Sequence, residues 1–228
     1  MIQIKHRIKV TIMICIIFTS VSLNVFLAVS NYQYKYRTGR ESYNNILSVR
    51  TLNETNNDML KNILEIGKIG NADLLKLYTN YNTISENISS LWYEYSNYKN
   101  DRALFTSTKD IDTNDALIGE VNSRITEYLK NILELEMETQ NFEMILDGDI
   151  KTKFTEILYV SDATKEFFEK FSDEHLKGLE GEKRVKSIIK NKYWIDILEN
   201  LNKIDQQYVD VDFSMPDDTE EEQNDLTS

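Results

Sequence analysis

The sequence predicts an all-α protein: one N-terminal transmembrane helix followed by an antiparallel up-and-down bundle of four to five long helices. Three observations carry that expectation. Turn-forming residues are scarce, with seven glycines and one proline in 228 residues, so the chain can build few corners and must use long elements. A single long apolar run lies near the N-terminus. Beyond it, apolar residues recur at alternating spacings of three and four, the period at which helices pack side by side.

The first element is the apolar run. Residues 1–9 form a short basic tail with Lys5, Arg7 and Lys9, and Val10 to Ser30 then holds no ionisable side chain except the Cys15 thiol. At ~1.5 Å per residue these 21 residues extend about 31 Å, the thickness of a bilayer hydrocarbon core. Tyr32, Tyr34 and Tyr36 follow in the juxtamembrane stretch 31–40, where amphipathic rings suit a membrane–water interface. A cleaved signal peptide is the competing account, since Ala28-Val29-Ser30 offers small residues at the positions a signal peptidase reads. The apolar region is longer than the ~7–15 residues of such peptides, which favours an uncleaved signal-anchor. Basic residues flank both sides of the run. With three on each side that count is close to a tie, and it is the short tail with its free amine that favours a cytoplasmic N-terminus, with the C-terminal domain then expected to lie outside.

The second segment begins near residue 41. Ile46, Val49, Asn53, Asn56, Leu60, Ile63, Gly67, Gly70, Leu74, Leu77, Tyr81, Ile84, Ile88, Leu91, Tyr95 and Tyr98 make one seam of period 3.5, with a break expected near Asn71 because of the two glycines. After a polar stretch from Thr106 to Asp112 the seam resumes at Val121, Ile125, Tyr128, Ile132, Leu135, Thr139, Phe142 and Leu146, and Asp112 or Thr113 is expected to cap this helix. Asp147-Gly148-Asp149 reads as a tight turn. Ile150, Phe154, Ile157, Ser161, Thr164, Phe168 and Phe171 then repeat the spacing. Gly178 and Gly181 mark a connection, and Val185, Ile189, Tyr193, Ile197, Leu201, Ile204 and Tyr208 form one last face. The helical-bundle domain is thus expected over 41–208. From 209 to 228 the chain is acidic, with no basic residue after Lys203, and is expected to be a disordered tail.

Charge excludes one class of partner. Six of the 26 basic residues lie in the first 40 positions, which hold no acid, so the remainder carries 20 bases against 38 acids. Such a surface repels phosphates, and no nucleic-acid binding is expected.

Catalysis finds little support. The two histidines, His6 and His175, fall on opposite sides of the expected membrane and cannot share a site. Glu134, Glu136 and Glu138 read as a solvated helix face. Asp110, Asp112 and Asn114, and again Asp210, Asp212 and Ser214 with Glu221, approximate a calcium loop, but Asp115 replaces its glycine and Met215-Pro216 spoil its turn. No metal, cofactor or enzymatic activity is expected. The aromatic cluster Trp92, Tyr93, Tyr95 and Tyr98 is the candidate ligand-binding group, because rings of this kind can line a pocket.

A basic N-terminus, one span and an acidic helical body resemble the extracytoplasmic sensor region of bacterial chemoreceptors and sensor histidine kinases. The local likeness runs from Tyr128-Leu129-Lys130 through Phe142-Glu143-Met144-Ile145-Leu146-Asp147-Gly148-Asp149 to Phe154 and Phe171. It is similar to the helix, Gly-Asp turn, helix pattern of some Gram-positive sensor kinases. The sequence departs from that pattern in having no second span and no kinase domain. The resemblance implies a membrane-anchored, non-catalytic module that binds a ligand or a partner protein. The alternative is a structural protein of the envelope that oligomerises through heptad helices. The expected partners are the lipid bilayer and either another protein or a second copy of the chain.

Overall fold

The computed structural model describes residues 2–100 and 109–215. The protein is all-helical: 81% of it is helix, in six helices among the described residues. With two short strands, the elements in chain order are α1 (Ile2–Ile66), β1 (Lys68–Gly70), α2 (Asn71–Asn100), α3 (Glu120–Thr139), β2 (Glu143–Ile145), α4 (Gly148–His175), α5 (Gly181–Lys190) and α6 (Tyr193–Gln207). The chain divides into two compact units, Met1–Glu41 and Ser42–Ser228.

The first unit is helix throughout its described length. Its apolar side chains from Ile12 to Val29 are exposed, and none of the most apolar stretch is buried against protein. This one helix is long and apolar enough to cross a membrane.

In the second unit the expected seam of α1 and α2 is the core. Ile46, Val49, Leu60, Ile63, Leu74, Leu77, Tyr81, Ile84, Ile88, Leu91 and Tyr95 are all buried, as are the two polar members Asn53 and Asn56. The seam breaks where the glycines fall. Gly67 ends α1 at φ 75°, a left-handed conformation that costs a residue with a Cβ but not glycine. The chain then runs into β1, which pairs antiparallel with β2 in the register Lys68 to Ile145, Ile69 to Met144 and Gly70 to Glu143. Ile69 and Met144 point into the core, while Lys68 Nζ meets Glu143 Oε2 at 2.7 Å on the outer side. Hydrogen bonds from Leu146 N to Gly67 O (2.9 Å) and from Asn71 N to Phe142 O (3.2 Å) close the two ends of this clip.

A carboxamide layer joins α1 to its neighbours. Asn53 Nδ2 donates to Ser161 O at 2.9 Å, and Ser161 Oγ donates back to Asn53 O at 3.4 Å. Asn80 Nδ2 donates to Asn56 Oδ1 at 2.7 Å. Asn57 Nδ2 reaches Asp162 Oδ1 at 2.8 Å, an oxygen that also accepts from Lys61 Nζ at 2.8 Å. Lys61 and Asn57 hold the Asp162 carboxyl below its usual range, against the opposing effect of its partial burial.

Several expected boundaries are corrected. Neither Asp112 nor Thr113 caps α3. The cap is Gly119 at φ 76°, and the Asp112 carboxylate instead accepts from Asn114 N within the preceding loop. The loop is held elsewhere: Asn202 Oδ1 accepts from Leu117 N at 2.9 Å, and Gln206 Nε2 donates to Asp115 O at 2.9 Å. α3 also stops earlier than its seam implied. Gln140 turns left-handed, Phe142 is 84% exposed, and Leu146 is buried from β2's far end, where the clip places it, rather than from a helix.

A straight 3.6-residue helix drifts ~20° per heptad from a 3.5 repeat, so the inward face passes from Ile132 to Glu136, not to Leu135 and Thr139. Glu136 is therefore buried, whereas its companions Glu134 and Glu138 are exposed as expected of a solvated face. The expected turn at Asp147-Gly148-Asp149 is the start of α4, with Asp147 as its cap.

The final face belongs to two helices, because Lys192 at φ 55° separates α5 from α6. Ile188, rather than Ile189, is the buried residue there. The tail is not free over its first residues. Val211, Phe213 and Met215 alternate toward the core with Phe213 buried, Arg124 lies over the Phe213 ring at 5.7 Å, and its guanidinium donates to Val209 O at 2.6 Å and to Val211 O. Residues 216–228, the rest of the expected tail, lie outside the described residues, as does the stretch 101–108.

Gly119 gives the sharpest test of this packing. A Cβ there would sit 3.1 Å from Ile88 Cγ2 on a left-handed backbone, so Gly119→Ala is expected to cost about 1–3 kcal/mol. Gly178→Ala, equally left-handed at φ 73° but with open space around it, is expected to cost less. Urea denaturation of the two variants in detergent checks the order.

Candidate functional site

The 3/4 spacing at the end of α2 sorts its rings by face. Trp92, Tyr95 and Tyr98 turn inward with Leu91, and Tyr93, on the opposite face, is 67% exposed. Trp92 meets Tyr95 edge-on at 5.9 Å, Tyr95 lies 6.4 Å from Tyr98, and Tyr98 meets Trp194 of α6 edge-on at 5.7 Å. The Tyr95 hydroxyl is fully engaged. It accepts from Ile111 N at 2.6 Å and donates to Ile111 O at 3.4 Å, which docks the loop before α3 onto the end of α2.

A second string of rings reaches the same place from α4. Phe167 and Phe168 adjoin each other at 5.2 Å, Phe167 lies 5.8 Å from Phe171, and the Phe171 ring lies tilted 4.7 Å from that of His175. His175 lies 5.0 Å from Tyr193, which also meets Phe171 edge-on at 5.6 Å. The left-handed turn at Lys192 places Tyr193 and Trp194 side by side at the start of α6, so the two strings converge on neighbouring residues. Lys109 sits 5.4 Å from the Tyr193 ring centre and pairs with Asp196, and Lys192 sits 5.3 Å from that of Tyr98. The result is a packed aromatic joint with two ammonium groups against its rings, each favoured by the negative ring face.

Three of the four expected ligand-binding rings thus contact one another in sequence, and Tyr93 does not join them. The cavity beside the joint, lined by Ile46, Arg50, Phe168, Phe171, Arg184 and Ile197 among others, measures about 30 Å³. That is room for one water, an order of magnitude below the ~300 Å³ of a small-molecule site. Its arginines are engaged: Arg50 Nε pairs with Glu54 at 2.8 Å, and Arg184 donates to Ser172 Oγ at 3.2 Å. Among the described residues no three His, Cys, Asp or Glu side chains come together as a metal cluster.

Sequence reasoning missed the acid buried next to the loop clamp. Asp205 of α6 is buried and accepts from Asn122 Nδ2 at 3.3 Å. Burial, with the nearby Glu120 carboxylate adding to it, pushes the Asp205 carboxyl up to about 7. The only trace in the sequence is its place directly after Ile204 on the inward stripe of α6. Tyr128, buried against Phe154 at 6.4 Å, is raised likewise by burial and then by Asp149 and Glu156.

Compared with known proteins, the chain matches no family model, no curated protein and no solved structure.

Two expectations follow from this geometry. Tyr95→Phe leaves Ile111 N without its acceptor and is expected to lower stability by about 1–3 kcal/mol, whereas Tyr93→Phe stays within about 0.5 kcal/mol, both read from denaturant midpoints. Asp205 binds its proton more tightly in the folded than in the unfolded chain. Its contribution is therefore full below about pH 4 and lost as pH rises through about 7. Asp205→Asn, which cannot ionise, is expected to flatten that decline. Melting temperatures from pH 4.5 to 7.5 should fall by several degrees less in the variant than in the parent.

Proposed function

We propose that this chain is a membrane-anchored, non-catalytic helical-bundle module, sensor-like in layout, whose acidic body engages a partner protein outside the cytoplasm. The observation that carries the reading is the junction, on one chain, of a fully exposed apolar helix with a separately packed helical unit. A long apolar surface without protein cover is stable in water only if something else covers it, and a bilayer does so at this length. A partner protein suits the body better than a small ligand. The rings that would line a pocket are packed against one another, and the cavity beside them has room for no more than about one water.

A second reading, a structural protein of the envelope that oligomerises, draws on a different observation. Ile66, Phe142 and Ile145 are more than half exposed around the β1–β2 clip, and a self-contact there would cover them.

Protease treatment of intact cells carrying the chain with a C-terminal tag tests the topology. Loss of the tag without lysis is expected, and protection of the tag until the membrane is broken overturns the placement of the body outside.

A further inference from the structure

The chain leaves α6 as a strap. Tyr208 to Met215 lie outside any helix or strand, and their side chains alternate: Val211 and Met215 are half-buried, Phe213 is buried, and Asp212 and Ser214 between them are exposed. Few groups fasten it. Arg124 of α3 donates to the Val209 and Val211 carbonyls, Lys153 of α4 donates to that of Asp212, and the Tyr208 hydroxyl donates to Tyr159 O at 3.3 Å. A segment held by a handful of side chains lies at the low-stability end of a fold and opens before the helices do.

The strap hangs from a buried acid. Tyr208 N bonds to Asp205 O at 3.0 Å and Val211 N to Tyr208 O at 3.1 Å, so the last turn of α6 runs directly into it. Two residues apart on α3, Asn122 holds the Asp205 carboxyl at 3.3 Å and Arg124 holds the strap. Among the described residues Asn122 is the one donor to that carboxyl, and no cation pairs with it or with the neighbouring Glu120, one turn before Arg124. The other charged groups around this end of α6 have their own partners or the wrong sign. The loop before α3 brings Asp115, and α4 brings Asp162, held by Lys61, with Glu166 and Lys170, joined at 2.7 Å. Lys203 of α6 itself pairs with Glu199, α2 meets α6 near its start at Trp194, and α5 joins it there. Burial, and then Glu120, pushes the Asp205 carboxyl up to about 7.

We infer that residues 208–215 are a strap closed on α3 and α4 in acid and let go in alkali, with Asp205 as its proton-operated catch and Glu120 as the charge that opens it. While neutral, the Asp205 carboxyl rests in its buried place with Asn122 as partner. Once ionised, it is a second negative charge beside Glu120 with no cation to offset it, and a buried charge in that position is strongly disfavoured. Lifting the last turn of α6 returns it to water and takes the strap along. Arg124 and Lys153 then lose their carbonyl acceptors, and Phe213 leaves the core. The device lies wholly within the helical unit and depends neither on the anchor nor on a partner.

The test uses the full chain in detergent, with Cys15→Ser and a nitroxide on Ser214→Cys, an exposed strap position whose backbone bond to Asp212 survives the change. The ratio of mobile to immobile label is expected to rise about tenfold or more between roughly pH 5 and 8.5. A carboxyl that titrates near 7 when held and near 4 when free allows up to ~1,000-fold. Far-ultraviolet circular dichroism is expected to stay level over that range. Asp205→Asn is expected to keep the label immobile throughout. Glu120→Gln, a change to an exposed side chain, is expected to cut the rise about threefold by removing the repulsion, and it decides the matter should Asp205→Asn not fold. A label equally mobile at both ends of the range, or a rise that both variants keep in full, overturns the device. A rise that comes only with loss of helix overturns it too, because the whole unit is then unfolding rather than the strap alone.

Discussion

The register of α1 against its neighbours is the constraint on which the rest of the helical unit depends, and buried carboxamides set it. Apolar side chains along a heptad seam can slide by a turn with modest loss, because one leucine replaces another. Asn53, Asn56 and Asn57 cannot. Each finds its partner only when Ser161, Asn80 and Asp162 stand opposite, and a slipped register would leave several amides buried and unpaired. The layer gives up some apolar burial, and one donor, Asn56 Nδ2, has no partner among the described residues. In exchange it rejects alternative packings that the repetitive seam would otherwise permit.

With that register fixed, the remaining connections are built by distant groups. The β1–β2 clip ties the α1–α2 corner to the α3–α4 corner, so two helix pairs far apart in sequence are bonded through their turns. α6 performs the same task at the loop before α3, through Asp196, Asn202 and Gln206. Arg124 then draws residues 209–213 back across α3. Asp205 lies within this set of contacts. A carboxyl raised by burial toward neutrality makes the α6 clamp sensitive to pH in that range.

The aromatic joint illustrates how one residue pattern can serve packing or recognition. Trp92, Tyr95 and Tyr98 stand at helical spacing, and the pattern alone is the same whether their faces meet a ligand or other rings. Trp194 and the Ile111 backbone decide it, since they occupy two of the places a ligand would take. The polar handle of Tyr95 is spent on a loop, which makes the joint a structural fastening between α2 and α6. Recognition in the proposed module therefore falls to surfaces that the fold leaves open.

The sequence by itself determined what is periodic and local. The apolar run and the inward faces of α1, α2 and α4 follow from spacing, because helical periodicity depends only on residues a turn apart. The breaks at Gly67 and Gly178 follow from backbone conformations that glycine adopts at least cost. Tertiary structure alone decided the rest. It delayed α3 to Gly119, ended it before Phe142, divided the last helix at Lys192, buried Glu136 and Asp205, and packed Phe213 onto the body. Each of these turns on where a backbone amide or a side chain finds its partner. Leu117 finds Asn202, Gly67 finds Leu146 and Val211 finds Arg124, at separations of roughly 80 residues or more that no local pattern records.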